Sequence, residues 1–430
     1  MLATETRKEI IALIKREVVP AMGCTEPVAV SLCTAKAVET LGCRPQRIEV
    51  RLSPNILKNA MGVGIPGTGM IGLPIAVALG AIVGRSEYQL EVLKDTTPEA
   101  VEQGKAMIAE GCITIGLKEG ACDMLYIEVS VSTDDDSAVA IISGAHTNFV
   151  YIEHQGTVLH DSRRPVGASA ESASGVKLDF RTVWDFATTT PIDEIRFILE
   201  ARNLNKAVAE ESLKGEWGHC LGRTISSATQ RNIFGDTTFT RMVSYTSAAC
   251  DARMGGAKIP VMSNSGSGNQ GIASTLPVVV YAEEKNATEE QLIRALVLSH
   301  LTVIYIKQSL GRLSALCGCV VASTGSSCGI TYLMGGGFTE ASMAVKNMVA
   351  NLTGVICDGA KPSCALKLAS AVSTALFSAV MAKEHRCVTS LEGIVDDDVD
   401  CSIRNLTSIG SQGMQQTDSM ILSIMTSKRK

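Results

Sequence analysis

The chain has 430 residues, of which 46% are hydrophobic and 19% charged. This composition excludes a disordered chain and gives room for a sizeable core in one large or two medium domains. Lys and Arg number 39 against 44 for Asp and Glu, a net charge of -5 with no long basic block, so we expect no nucleic-acid partner.

The amino terminus is charged within its first ten residues and lacks the apolar stretch of a secretory signal, so we expect a cytoplasmic protein. The longest apolar run, 70–84, is shorter than the roughly 18 residues that cross a bilayer. We interpret this run as a buried helix and expect no membrane partner. The 14 cysteines are then expected to be reduced thiols rather than disulfides.

The first third of the chain shows mostly helical patterns. Apolar residues at helical spacing predict helices over 6–18 and 28–41, the second closed by Gly42. Alternating residues predict a strand over 47–52. A cap followed by a first-turn proline begins another helix at Thr97, which we expect to stop near residue 111.

The middle of the chain changes from helical to β patterning. Between 125 and 160, short β-rich runs alternate with turn segments, as in a small antiparallel sheet. The Ser-, Ala- and Gly-rich segment 161–178 is predicted to be a loop or linker. Helical patterns then recur at 191–203, 288–309, 340–352 and 364–383.

These patterns predict an α+β protein that is predominantly helical. We expect a helical catalytic domain formed by 1–120 and 179–430, and a β-rich insert with its linker at 121–178.

Three stretches, 59–84, 259–282 and 313–339, have no charged residue but many glycines beside hydroxyl, amide or thiol side chains. Such segments suit buried turns at helix starts, where free N–H groups bind an anion, and tight helix packing is an equal alternative. The second stretch has a Gly-x-Gly-x-x-Gly pattern at Gly266, Gly268 and Gly271 but lacks the acidic residue of a dinucleotide site. It therefore indicates an anion cradle.

The histidines never pair at metal-binding spacing, and no Cys-x-x-Cys occurs, so we expect each histidine to be structural. Five cysteines nevertheless fall within 317–364, which is suitable material for a thiolate-bound iron–sulfur cluster. From spacing alone, buried core thiols are an equal alternative.

Cys24 precedes the helix predicted at residue 28. A thiolate there is stabilised by the free N–H groups and the helix dipole, so we expect a lowered pKa suited to a base or nucleophile, which Glu26 partly opposes. A thiol packed in a turn is the alternative.

Four motifs together resemble the bacterial and archaeal L-cysteine desulfidase family, also known as an uncharacterised YhaM-like family. They are MGCTEP (22–27), SNSGSGNQGI (263–272), CGCVVASTGSSCGITYLMGG (317–336) and ICDGAKPSCALK (356–367). The resemblance covers nearly the whole chain, and its catalytic part is similar to the alpha portion of iron–sulfur L-serine dehydratases.

The resemblance implies a [4Fe-4S] cluster held by three cysteines, which fall on Cys317, Cys357 and Cys364. Cys319 and Cys328 stay open as alternatives to Cys317. It also implies a catalytic cysteine base, which falls on Cys24. The substrate-binding residues we expect are Thr25, Glu26, Ser265, Ser267, Asn269 and Gln270.

The reaction so implied is a lyase reaction that converts L-cysteine to pyruvate, ammonia and sulfide, with the cluster as Lewis acid. An L-serine dehydratase is the nearest alternative. A pyridoxal-phosphate lyase, with Lys258 or Lys361 as its Schiff-base lysine, and a non-catalytic amino-acid sensor also stay open. The partner is a small amino acid in each case, and a homo-oligomer is compatible with the sequence.

Overall fold

Helices make up most of the protein, and strands are confined to two sheets in the part of the chain that the structure describes. The computed structural model describes residues 2–165, 176–311 and 313–428. The helices are α1 (Thr4–Glu17), α2 (Thr25–Leu41), α3 (Pro54–Ala60), α4 (Leu73–Ile82), α5 (Pro98–Ala109), α6 (Phe180–Thr189), α7 (Ile192–Ile195), α8 (Leu199–Lys214), α9 (Leu221–Ser226), α10 (Arg231–Phe234), α11 (Thr238–Met254), α12 (Gly268–Glu284), α13 (Glu289–Leu310), α14 (Gly318–Leu333), α15 (Phe338–Leu352), α16 (Cys364–Lys383), α17 (Val399–Ser408) and α18 (Gln415–Ser427). The strands are β1 (Pro20–Met22), β2 (Arg47–Leu52), β3 (Ile113–Leu117), β4 (Tyr126–Ser132), β5 (Ser137–Ser143), β6 (Phe149–His154), β7 (Thr157–Asp161) and β8 (Pro260–Met262).

Local sequence signals set many of the helix ends. Gly42 ends α2 in the left-handed conformation, with φ of 78°, which is the glycine stop that the sequence predicts. The Thr97 side chain accepts a hydrogen bond from the Ala100 N–H at the start of α5, and Thr288 with Gln291 forms a capping box at the start of α13. The α+β prediction, with helices predominant, is confirmed.

The main sheet has the strand order β3-β2-β4-β5-β6-β7. Strand β2 pairs parallel with β3, and every other pair is antiparallel. The sheet therefore includes two strands that precede residue 121, the boundary expected for the β-rich insert. The domain boundaries stay a prediction, and residues 166–175 of the predicted linker lie outside the described residues.

Two hydrophobic cores organise the chain. One lies between the main sheet and helices α2, α4 and α5, and the apolar run at 70–84 contributes its buried helix α4 there. The second core is built by helices α11 to α16, with α6, α8 and α17 packed around them. The uncharged stretches supply much of this second core, because α12 is buried from Gly268 to Ala282.

Two short backbone pairings bring distant segments together. Strand β1 pairs antiparallel with β8, so that Ala21 lies opposite Val261. An isolated antiparallel bridge joins Leu316 to Ile356. The first pairing places the start of α2 beside the turn before α12, and the second places residue 317 beside residue 357.

Among the described helices, α16 is long and apolar enough to cross a membrane. Half of its most apolar 18-residue window is buried inside the protein, as in a core helix, so its composition is weak evidence for a membrane span. A cytoplasmic location stays a prediction.

Candidate active site

One cavity collects thiols and polar groups from widely separated segments of the chain. The segment around Cys24 forms one side, and the starts of α12, α14 and α16 form the others. The cavity is lined by Cys24, Glu26, Asn59, His146, Arg253, Gly266, Ser267, Asn269, Gln270, Lys307, Leu313, Ser314, Leu316, Cys317, Gly318, Cys319, Cys357, Gly359, Ala360, Cys364 and Lys367. Residues more than 300 positions apart in the sequence thus share one cavity.

The three thiols expected to bind a cluster all line this cavity. Cys317 is the residue before α14, Cys364 is the first residue of α16, and Cys357 lies in the loop between α15 and α16. The backbone holds the segments in place, since the Cys317 N–H donates to the Val355 carbonyl at 2.9 Å and the Cys357 N–H to the Ala315 carbonyl at 2.6 Å.

The two alternatives to Cys317 differ in position. Cys319 also lines the cavity. Cys328 is fully buried in the middle of α14 and does not line it. The choice of Cys317 as the first ligand stays a prediction, and Cys319 is the alternative that also lines the cavity.

The environment of Cys317 favours its thiolate. A hydrogen bond from the Cys319 thiol lowers the pKa of Cys317 to about 6, against the effect of burial, and the charge of Lys367 acts in the same direction. Lys367 in turn donates to the Ile356 carbonyl at 2.9 Å and pairs with Asp358. A cation is therefore fixed beside this group of thiols.

Cys24 is the N-cap residue of α2 and only 2% exposed. Its Sγ lies 2.9 Å from Glu26 Oε2, to which it donates a hydrogen bond. Burial, and after it the negative charge of Glu26, raises the pKa of Cys24 well above its ordinary value. The expectation of a lowered pKa was therefore wrong for the free protein, because desolvation and the adjacent carboxylate outweigh the helix dipole.

Glu26 is an ionised carboxylate held by several donors. Besides the Cys24 thiol, the Asn59 amide donates to Oε1 at 3.1 Å. The Thr25 hydroxyl lies 3.1 Å from Oε2, but its one proton goes to the shorter hydrogen bond with the Gly266 carbonyl. Although burial opposes ionisation, the charge of His146 and the hydrogen bond from Cys24 leave the pKa of Glu26 below its ordinary value. This buried carboxylate is the hydrogen-bond acceptor of the Cys24 thiol.

The turn before α12 forms the third side of the cavity. Ser267, Asn269 and Gln270 line it, whereas Ser265 lies behind it and donates to the Asn264 side chain at 2.8 Å. Thr25 is also absent from the lining of the cavity. Its hydroxyl donates to the Gly266 carbonyl at 2.8 Å and so ties α2 to this turn.

A buried histidine contacts the turn before α12. His300 in α13 has no exposed surface, and its Nδ1 lies 3.0 Å from the Asn264 amide nitrogen while Nε2 lies 3.0 Å from the Thr275 hydroxyl. Burial lowers the pKa of His300 to about 3. The neutral ring, with its proton on Nε2, accepts from Asn264 and donates to Thr275.

Sequence reasoning missed six polar residues of the cavity: Asn59, His146, Arg253, Lys307, Ser314 and Lys367. His146, expected to be purely structural, lies in the loop after β5 and lines the cavity together with residues of the helical core. Isolated residues of this kind carry no motif, so only the fold brings them together. The uncharged stretch at 59–84 was the one signal that could have pointed to Asn59.

The thiols of the cavity are the type of ligand that an iron–sulfur cluster uses. Within the described residues, no group of three or more His, Cys, Asp or Glu side chains is already arranged around one metal position. The Gln270 Oε1 and Arg253 Nε atoms of the cavity are buried and have no hydrogen-bond partner among the described residues, so polar groups remain for a further ligand.

The fold and cavity agree with the comparison to known families. Residues 87–423 match the family model described as the serine dehydratase alpha chain. This match spans most of the chain, and the chain therefore belongs to the serine dehydratase alpha chain family, which indicates a lyase-type enzyme.

Within this family, the chain is most usefully compared with proteins named UPF0597. The protein of Phocaeicola vulgatus is 66% identical over 430 residues and 100% of both chains, and that of Porphyromonas gingivalis is 57% identical over 99% of this chain and 100% of its own. The protein of Oleidesulfovibrio alaskensis is 48% identical over 97% of this chain and 98% of its own. The predicted relation to serine dehydratase alpha chains is confirmed, whereas these names give no activity.

Proposed function

We propose that the protein is an iron–sulfur lyase that converts L-cysteine to pyruvate, ammonia and hydrogen sulfide. One observation carries the proposal: Cys24 lines the same cavity as Cys317, Cys357 and Cys364. A proton acceptor and a set of cluster ligands in one cavity are what β-elimination from an amino acid needs.

Cys317, Cys357 and Cys364 would hold a [4Fe-4S] cluster, with Lys367 offsetting part of its negative charge. When bound through three thiolates, such a cluster supplies an iron with an open coordination position that acts as a Lewis acid towards the leaving group. The starts of α14 and α16 position two of these thiols, and the Leu316–Ile356 bridge positions the third beside them.

Cys24 and Glu26 would together remove the Cα proton. The free cavity keeps Cys24 as a thiol, so its proton must leave before it can act as a base, and Glu26 Oε2 at 2.9 Å is positioned to accept it. The substrate ammonium adds a positive charge to the cavity, as Arg253 already does, and this lowers the pKa of the thiol.

The reaction is an elimination followed by hydrolysis, and it needs no further acid or base from the protein. Cα loses its proton, the C–S bond breaks, and hydrosulfide leaves with the bonding electrons to give aminoacrylate. This compound tautomerises to an imine that water hydrolyses to pyruvate and ammonia. Ser267, Asn269 and Gln270 would hold the substrate carboxylate during these steps.

L-serine is a second candidate substrate, because the matched family is described by serine dehydratase. Here the hydroxyl would leave as water, taking up the proton removed from Cα, and the later steps would be the same. The sulfur of cysteine is the softer iron ligand, which is the reason for preferring L-cysteine.

The test uses protein purified without oxygen and assayed for iron, acid-labile sulfide and product formation. We expect about four irons per chain and sulfide release from L-cysteine faster than pyruvate release from L-serine. A faster reaction with L-serine would reassign the substrate, and iron-free protein without lyase activity would contradict the proposal.

The same sample separates the cofactor alternatives. A pyridoxal-phosphate enzyme would show a visible band that shifts on borohydride addition. Neither Lys258 nor Lys361 lines the cavity. The Lys258 Nζ donates to the Thr96 carbonyl, and the Lys361 Nζ donates to the carbonyls of Asp358 and Gly359. An amino-acid sensor would bind amino acids but hold no iron and form no product.

A further inference from the structure

Arg253 is the most unusual polar residue of the cavity. It lies in the last turn of α11, is only 3% exposed and lines the cavity directly. Its Nη1 donates to Asn269 Oδ1 at 2.9 Å, and its Nε has no hydrogen-bond partner. Among the described residues, no carboxylate forms an ion pair with it.

A buried guanidinium in this state needs an anion. Guanidinium groups stay charged at all physiological pH values, and burying a charge without a counter-ion is costly. The Asn269 amide satisfies one of five N–H groups and carries no negative charge. The charge of Arg253 acts on Glu26, the carboxylate of the same cavity. Among the described residues no hydrogen bond joins the two, and Glu26 already accepts from Cys24 and Asn59.

The backbone around Arg253 is shaped to keep the guanidinium in this place. A Cβ atom at Gly268 would lie 2.3 Å from Arg253 Nε, so only glycine leaves room for the group at the start of α12. The free N–H groups of that helix start face the same region and favour an anion there. The guanidinium and the helix start therefore point to one anion-binding position.

We infer that Arg253 binds the α-carboxylate of the substrate and selects amino acids with a free carboxylate. This inference rests on the proposed function and assigns its main carboxylate-binding group to a residue outside the four motifs. A guanidinium can make two parallel hydrogen bonds to a carboxylate, which fixes its orientation as well as its position. Ligands without a carboxylate would gain nothing from Arg253.

The test compares two thiols that each lack one part of cysteine. 3-Mercaptopropionate keeps the carboxylate without the amine, and cysteamine keeps the amine without the carboxylate. Calorimetric titration of the protein as purified without oxygen with each compound reads binding without requiring turnover. We expect Arg253→Gln to weaken 3-mercaptopropionate about 10- to 100-fold, as for loss of a charged hydrogen bond, and to change cysteamine binding less than about twofold.

Two further variants complete the design. Arg253→Lys keeps the charge without the planar fork, so it should fold where Arg253→Gln does not and still weaken 3-mercaptopropionate selectively. Arg241→Gln, a half-exposed arginine on the same helix that pairs with Glu284, is the matched control and should change neither affinity.

Three outcomes would overturn the inference: equal weakening of both thiols, no weakening of either, or loss of iron in both Arg253 variants. The last result would mean that the guanidinium balances cluster charge instead. Failure of the proposed function would instead be seen as the absence of sulfide and pyruvate in assays of the wild-type protein. The comparison of the two thiols would still be valid.

Discussion

The thiol of Cys24 donates a 2.9 Å hydrogen bond to the carboxylate of Glu26, two residues further along the chain. The pair lies in the first turn of α2, where free N–H groups favour negative charge. In the free protein that charge resides on Glu26, because burial and this same carboxylate keep the thiol protonated. We therefore expect burial and this carboxylate together to set the pH at which Cys24 ionises.

Glu26→Gln should make Cys24 easier to ionise. Removal of the negative charge lowers the pKa of the thiol, so alkylation by iodoacetamide should reach half its maximal rate at a lower pH than in wild type. Turnover should nevertheless fall at least about tenfold, because the thiol proton loses its acceptor. Mass spectrometry of the Cys24 peptide across a pH series measures the first effect.

Glu39→Gln on the same helix is the control for that experiment, since Glu39 is exposed and contacts Ser86 instead. An unchanged pH dependence of Cys24 alkylation in Glu26→Gln would disprove control of the thiol by the carboxylate.

Cluster content should depend on whether a cysteine lines the cavity. Cys357→Ala and Cys364→Ala should lose most of the bound iron, whereas Cys328→Ala should keep it because this thiol does not line the cavity. Iron and acid-labile sulfide assays on anaerobic preparations measure the cluster content of each variant. Cys43→Ala, an exposed thiol, controls for the loss of any one cysteine.

Cys24→Ala should separate catalysis from cluster binding. We expect the iron content and visible absorbance of wild type, with turnover reduced about 100- to 10,000-fold as for loss of a general base. Cys33→Ala, on the same helix but buried against the main sheet, should retain turnover. Wild-type activity in Cys24→Ala would remove this residue from the mechanism.

Stability should fall in mild acid because of His300. Its pKa is about 3 in the folded protein and about 6.5 when unfolded, so the unfolded chain binds the extra proton first. The contribution is fully present above pH 6.5 and declines by about 1.4 kcal/mol per pH unit as the pH falls towards 3. Urea unfolding between pH 7 and 5 measures the slope, which should be shallower in His300→Gln than in wild type.

Asp418 should stabilise the loop that carries Cys357. It pairs with Lys58, which is 1% exposed and whose carbonyl lies against Gly359. Asp418→Ala leaves this lysine buried without its partner and should cost about 3 kcal/mol of unfolding free energy. The double variant Lys58→Met with Asp418→Leu should recover most of that loss, and equal destabilisation of both variants would contradict the pairing.

Local sequence patterns predicted individual helices and strands better than they predicted which strands pair with each other. The helix stop at Gly42, the strand Arg47–Leu52 and the cap at Thr97 follow from short-range rules. Strand β1 has only three residues and no alternation, so its pairing with β8 had no sequence signal. The parallel pairing of β2 with β3 was equally hidden, because it depends on the helices that connect the two strands.

The site was predictable where its chemistry is carried by motifs. The thiols at 24, 317, 357 and 364 belong to recognisable segments, and the structure brings them into one cavity. Arg253 and His146 were not predictable, because each is a single residue whose role depends on what the fold places against it. The protonation state of Cys24 was also beyond local rules, since it depends on burial.

The β1–β8 pairing has a consequence for synthesis in the cell. The ribosome completes the first thiol segment more than 300 residues before Cys364, which at about 5–20 residues per second is on the order of half a minute. Strand β8 is synthesised within that interval, and Cys364 only at its end. Under the proposed function, cluster insertion therefore follows synthesis of α16, and we expect a chain truncated before α16 to bind no cluster.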